Sequence, residues 1–319
     1  MFTLRSPLKR GAIAIVASAF LFAACGGDGG SSSSDTAAPD TSAPSLEATF
    51  PLTISQAEGD LTFESAPQRI ISLSPTATEM LWAIGAEDQV VAIDNMSTYP
   101  EEAQTKPNEL SGFEPSIEAI AEFEPDLVLV SYAPEGMADG LAALKIPVWY
   151  GYAAITIDDV YSQIETLGAI TGQVSNAAEV VSDMKTQIQD TLDSVSSPAG
   201  GSYFYELDNT YYSVTSNTFI GSLMAEFGLT NIADGVEEGN DYPQLNAEYI
   251  VESDPTYIFL ADTAYGESAA TVAARPGWEM LDAVVNSRVI ELDSDIASRW
   301  GPRVVDLVAA VAGALSANS

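Results

Sequence analysis

Apolar residues in this chain fall into two recurring patterns: unbroken runs of strand length, and stretches in which they return every three or four positions. Runs at 69–73, 90–93, 127–130 and 146–149 predict one set of buried strands, and runs at 202–207, 257–260 and 288–292 a second. Helical spacing separates them. Ser74 as a cap, with Pro75 in the first turn, predicts a helix through Met80, Leu81 and Ile84 that stops at Gly85, Glu79 being an acid of its opening turn. Ser116 caps a shorter helix with Ile117, Ile120 and Ala121 inward, and Pro125 ends it. Thr218 to Phe227 echoes the first helix and stops at Gly228, while residues 304–315 form a small-residue helix near the end. Lead-in strands are expected around 50–63, and a short helix opens at Pro276-Gly-Trp278. Strands alternating with helices imply mostly parallel sheets with helices on their faces.

The stretch 116–131 returns as 246–261. Glu118 matches Glu248, Ile120 matches Ile250, Glu122 matches Glu252 and Pro125 matches Pro255, all at one offset. Two copies this far apart mark two similar lobes rather than a short-period array. Between them the pattern is purely helical. Ile157, Val160, Ile164, Leu167 and Ile170 make one stripe, broken near Gly172. Val174, Ala177, Val181, Met184, Ile188, Leu192 and Val195 make a second, with Ser175 as its cap and neither Gly nor Pro inside. A long unbroken helix there is a stiff connector.

The first 50 residues follow other rules. Residues 1–24 read as an export signal: Arg5, Lys9 and Arg10, then an apolar centre from Gly11 to Phe22, then small residues. The segment Phe22-Ala-Ala-Cys25 resembles the bacterial lipoprotein box, which implies cleavage before Cys25 and its lipidation. Residues 25–49 are Gly, Ser, Ala, Asp and Pro with almost nothing apolar, a composition that makes a flexible tether. The expected domains are thus a signal at 1–24, a lipidated tether at 25–49, an N-terminal α/β lobe at 50–155, a helical linker at 156–198 and a C-terminal α/β lobe at 199–319.

Composition narrows the chemistry. The chain has 319 residues, one cysteine and no histidine. That removes disulfides within the chain, cysteine metal clusters, the commonest general base and every Ser-His-Asp or Cys-His arrangement. The formal charge is −35, and without residues 1–24 it is 8 basic against 46 acidic residues, −38. Nucleic acid is disfavoured as a partner, as is an anionic membrane surface. The acidity reads either as solubility in a salty medium or as a preference for cationic or neutral ligands and a basic partner protein. No glycine-rich phosphate loop follows the first strand, so a nucleotide is not expected.

Several runs together resemble a known family. Arg69 to Glu79, Tyr99-Pro100, Ser111 to Glu118, Pro125 to Leu129, Tyr242-Pro-Gln244 with Glu248, and Ser298 to Arg303 are similar, in order and spacing, to the cobalamin and ferric-siderophore class of ABC-transporter substrate-binding proteins. The resemblance spans roughly residues 66–317. It implies an α/β fold of two Rossmann-like lobes, parallel sheets flanked by helices, joined by one long backbone helix. It also implies a ligand in the cleft between lobes, contacted by Tyr99, Phe113, Tyr132, Tyr242 and Arg299 with Trp300 as a neighbour, and permease docking through Glu118 and Glu248. Aromatic side chains suit a broad flat ring system. The sequence departs from the cobalamin pattern where tryptophans are expected, near Phe113, near Tyr242 and at Ser131; Phe113 also stands where haem-binding relatives carry a tyrosine ligand.

The function expected is a lipid-anchored, monomeric solute receptor on the outer face of the cytoplasmic membrane. It captures a metal chelate, a corrinoid or a ferric siderophore, and hands it to an ABC permease and its ATPase. No cofactor and no resident metal site are expected. The few second-lobe arginines favour a neutral or cationic chelate over an anionic catecholate. An extracellular enzyme or a solute sensor on the same scaffold is the alternative. The enzyme lacks a serine elbow as well as histidine.

Overall fold

The computed structural model describes residues 47–195 and 200–317; the export signal, Cys25 and nearly all of the tether lie outside the described residues. A short antiparallel hairpin, β1 (Leu52–Ile54) and β2 (Leu61–Phe63), opens the folded part. The first α/β lobe follows as β3 (Ile70–Ser72), α1 (Pro75–Ala83), β4 (Val90–Ile93), α2 (Ile117–Glu122), β5 (Leu127–Val130), α3 (Met137–Ala143) and β6 (Val148–Tyr150). Its four strands are parallel, in the order β4-β3-β5-β6. Two long helices come next, α4 (Ile157–Thr171) and α5 (Val174–Ser194). The second lobe comprises β7 (Ser202–Glu206), α6 (Phe219–Glu226), β8 (Thr230–Asn231), α7 (Ala247–Ser253), β9 (Tyr257–Leu260), α8 (Ala269–Ala273), α9 (Asp282–Val285), β10 (Val289–Glu291), α10 (Ser294–Ser298) and α11 (Val304–Ser316). Its sheet is also parallel, in the order β10-β9-β7-β8.

The two sheets therefore share one topology: the first strand in sequence lies between the second and the third, and the fourth takes the far edge. The repeat seen in the sequence occupies equivalent places in both. Ser116 and Asn246 cap α2 and α7, their side chains accepting the main-chain N–H of Ala119 at 3.2 Å and of Tyr249 at 2.9 Å. Each helix then turns through a left-handed residue, Glu124 at φ 48° and Asp254 at φ 42°, before the buried proline and the strand. After that proline, Asp126 accepts the main-chain N–H groups of Gln68 and Arg69 just before β3, and Thr256 that of Ser202, which starts β7.

Period-2 alternation decides which way each strand faces. Leu127 and Leu129 of β5, with Tyr257 and Phe259 of β9, point into one continuous core shared with α1, α4, α5, α6 and α11. Val128 and Val130 pack outward against α2 and α3, and Ile258 and Leu260 against α7, α8 and α9. The 21-residue α5 is about 32 Å long at the standard helical rise. It starts at Val174, two residues past left-handed Gly172, with Gln173 at the cap position, so Ser175 belongs to the helix rather than preceding it. Gly168 brings α4 against it: a Cβ there would lie 2.4 Å from the Cβ of Ala177. α11 packs on α5, and one core is continuous through all three helices.

The two-residue strand β8 escaped the pattern reading, and so did three helices, α3, α8 and α10. Each is seven residues or fewer, too short for a helical stripe to stand out.

Candidate functional site

The carboxyl ends of the parallel strands from both sheets open onto one cleft of about 530 Å³. Open α/β sheets present ligand sites at this end because the chain leaves each strand there as a loop or helix start. Ser74 and Thr76 follow β3, Asp94 follows β4, and Ser131 and Tyr132 follow β5. Leu207, Ala261 and Ser294 follow β7, β9 and β10 across the cleft. Gly112 makes part of the floor: a Cβ at that position would come within 2.7 Å of the Leu73 carbonyl oxygen, a main-chain atom that cannot yield.

Three of the residues implied by the resemblance meet here: Phe113, Tyr132 and Arg299 all line the cleft, as does Trp300. Phe113 is 73% exposed and Tyr132 60%, so both present open aromatic faces at the cleft. Tyr265 and Met96 share the same walls, and Tyr265 is the most exposed aromatic among the described residues at 87%. The sequence reading missed both. Tyr265 stands one short turn beyond the end of β9, and an aromatic just past a buried parallel strand is the signal that marks it.

The other two are not among the residues lining the cleft. Tyr99 lies in an adjacent hollow with Trp82, Pro100 and Pro302, where the Arg303 guanidinium sits 4.1 Å above its ring. Tyr242 is half exposed, its main-chain N–H held by Asn240, on the loop whose Asp241 and Pro243 carbonyls accept from Thr215 and Ser213.

The electrostatics of the cleft centre on Arg299, the one cation in its lining. Arg299 donates to Glu79 at 2.8 Å and pairs with Asp295 at 2.8 Å, and its remaining reach goes to the Met96 carbonyl. Arg303 adds two bonds to the same Glu79, at 2.6 and 3.0 Å. Glu79, expected in the opening turn of α1, instead sits one turn further in, where its side chain is 1% exposed. It ties the first lobe to the segment between α10 and α11. Thr98 and Asp295 make a second tie across the mouth, at 3.1 Å. Among the described residues the cleft lining therefore carries no unpaired guanidinium, and its carboxyl groups are those of Asp94 and Asp295.

Away from the cleft, Glu118 and Glu248 hold equivalent exposed positions in the first turns of α2 and α7. Glu122 and Glu252, one turn on, are also exposed. Behind the second-lobe wall, buried Glu206 receives two bonds from Arg275, at 2.5 and 2.6 Å, and Arg275 lies 4.6 Å over the Trp278 ring. Among the described residues no group of three or more Asp, Glu or Cys is arranged to hold a metal ion, and no helix is long and apolar enough to cross a membrane.

Two parallel sheets bridged by long helices, with a cleft at their facing strand ends, define a two-lobed solute-binding protein. The chain belongs to the periplasmic binding protein family, whose pattern matches residues 70–296. It is 30% identical over 280 residues to the uncharacterized ABC transporter substrate-binding lipoprotein YvrC of Bacillus subtilis, covering 84% of this chain and 86% of that one. It is 31% identical over 278 residues to a cobalamin-binding protein of Halobacterium salinarum, covering 83% and 74%. Among solved structures it resembles the periplasmic vitamin B12-binding protein of Vibrio cholerae, with a TM-score of 0.67, 27% identity and coverage of 79% and 98%. The protein is a substrate-binding component of an ABC transporter.

Proposed function

We propose that the protein is a lipid-anchored receptor that takes a neutral or cationic metal chelate into the cleft and delivers it to an importer. A corrinoid is the first choice of solute and a ferric hydroxamate the second. The observation that carries this is the lining of the cleft. Phe113, Tyr132 and Tyr265 offer broad exposed aromatic faces, while the single guanidinium is already spent on Glu79 and Asp295. An anionic catecholate would find no unpaired cation to replace its hydration, whereas a flat uncharged or positive ring system loses little on leaving water. The cobalamin-binding relatives favour the corrinoid. Membership of a family of binding proteins and a chain with no histidine both support binding without turnover.

Phe113, Tyr132 and Arg299, with Trp300 and Tyr265, are the proposed solute contacts; Tyr99 and Tyr242 would act only if the lobes move around the bound solute. Glu118 and Glu248 are the proposed docking carboxylates, one per lobe, matched to a two-fold basic surface on the permease. Cys25 is the proposed lipid attachment, which would hold a monomer at the outer face of the cytoplasmic membrane.

The test is a binding screen by quenching of tryptophan fluorescence, since Trp300 lines the cleft, with calorimetry as a check. Cyanocobalamin and cobinamide are to be compared with a ferric hydroxamate, a ferric catecholate and haem. Corrinoid binding without catecholate binding is expected. Tight catecholate binding, or no binding by any of the five, overturns the proposal.

A further inference from the structure

Beneath the cleft wall, four buried side chains share hydrogen-bond contacts whose protons can be counted. The Ser72 hydroxyl donates to the Ser74 carbonyl at 3.0 Å, and the Thr78 hydroxyl donates to Ser72 at 2.9 Å. Both hydroxyl protons are then used. The Ser97 hydroxyl touches Thr78 at 2.8 Å and also the Asp94 carboxyl, with a single proton for the two contacts. If Ser97 gives its proton to an ionised Asp94, two lone pairs face each other at Thr78. Reversing the chain only moves the defect to Ser74. Four contacts and three hydroxyl protons leave one gap, and a proton on Asp94 fills it. Asp94 then donates to Ser97, Ser97 to Thr78, Thr78 to Ser72 and Ser72 to the Ser74 carbonyl. The three hydroxyl side chains are 0–2% exposed, so the gap, wherever it falls along them, lies away from bulk water.

We propose that Asp94 is a specificity-determining residue of the solute cleft: a neutral carboxylic acid that turns its O–H inward to Ser97 and offers its other oxygen to a hydrogen-bond donor, such as an amide N–H, on the solute. The proposal rests on the receptor reading above and narrows its substrate class to solutes with donors on that edge. Asp94 is placed for this. Its main-chain N–H is fixed to the Ser72 carbonyl at 2.9 Å, and the residue forms part of the cleft lining. Its Oδ2 lies on the Gly112 side, where a Cβ would stand 3.1 Å away. The charge facing it across the cleft is Arg299, committed to Glu79 and Asp295, and the main-chain N–H groups of Met96 and Asp94 face it from its own loop. Burial outweighs these and raises its pKa above the ordinary aspartate value.

An acid of this kind has a diagnostic substitution. In Asp94→Asn the amide NH2 replaces the inward O–H and the amide oxygen replaces the oxygen offered to solute, so every contact survives. The experiment measures cobinamide and cyanocobalamin affinity for the full-length protein, Asp94→Asn and Asp94→Ala. It also compares infrared difference spectra of wild type and Asp94→Asn at pH 7 for the carbonyl band of a protonated carboxyl. Expected are an affinity within about threefold for Asp94→Asn, a loss of roughly tenfold or more for Asp94→Ala, and a protonated-acid band present only in wild type. Equal losses in both variants, or no such band, overturn the neutral acid. An unchanged Asp94→Ala overturns the solute contact. A wild type that binds neither corrinoid removes this contact with the corrinoid reading, and the infrared band still decides the proton.

Discussion

Glu79 is the position whose loss should cost the fold most for the smallest change in shape. Glu79→Gln keeps the volume of the side chain and removes its charge. Three guanidinium N–H bonds, between 2.6 and 3.0 Å, end on this carboxylate, whose side chain is 1% exposed against 10% and 15% for Arg299 and Arg303. Removing one partner of a buried pair generally costs about 3–5 kcal/mol, because the remaining charge stays desolvated. Arg299 retains Asp295, so the lower half of that range is expected. For a domain of this size the cost corresponds to a fall in Tm of roughly 5–10 °C. Differential scanning calorimetry of wild type, Glu79→Gln, Arg303→Gln and the double variant reads it directly. In the double variant the second substitution should cost far less than it does alone, since the pair is already broken. A Tm for Glu79→Gln within about 2 °C of wild type, or strictly additive losses, would refute the view that this carboxylate holds the two lobes together.

Other consequences are quicker to state. Glu118→Lys with Glu248→Lys should abolish solute uptake in cells while leaving solute affinity of the purified protein unchanged; a parallel loss of affinity would remove both from the docking surface. Asp159 accepts the main-chain N–H groups of Thr156 and Ile155 at the start of α4, and the first of these is the main reason its pKa lies below the ordinary 3.8. Its folded pKa is depressed, so its contribution to stability is complete above the unfolded value and fades as pH falls through the folded one. Asp159→Ala should cost about 1 kcal/mol at pH 7 and progressively less as pH falls through the folded pKa, read from urea midpoints. Trp278 is fully buried beneath Arg275 and against Tyr211 and Phe204, and Trp278→Ala should cost about 3–5 kcal/mol, measured by the same denaturation. Gly112→Ala should weaken solute binding by reshaping the floor at Leu73 and Asp94; unchanged affinity would show that the floor does not touch solute.

Much of the architecture was legible because it is written locally. A cap residue, an inward isoleucine, a proline and four apolar residues specify a helix and a strand wherever they occur. Their recurrence at 116–131 and 246–261 therefore announced two lobes, and both copies form α2–β5 and α7–β9 as read. The uninterrupted stripe from Val174 to Val195 likewise became α5. The site was legible in part. Phe113, Tyr132 and Arg299 were selected by resemblance and do meet in the cleft, but Tyr99 and Tyr242 do not join them, and Tyr265 and Asp94 had gone unremarked. Periodicity says which face of an element is apolar; it carries no information about which strand ends converge.

Charge shows the division most clearly. The sequence by itself determined that the folded chain is strongly acidic and poor in arginine, which disfavours nucleic acid and anionic membrane surfaces as partners. It also presented Glu79 as an ordinary acid near a helix start, and the family resemblance implied Arg299 as a ligand contact. Only the tertiary structure paired them, by bringing together groups more than two hundred positions apart. A carboxylate and two guanidiniums that far separated leave no mark on any local pattern. Their pairing exists only once two sheets, one long helix and a shared core have fixed the distance between them.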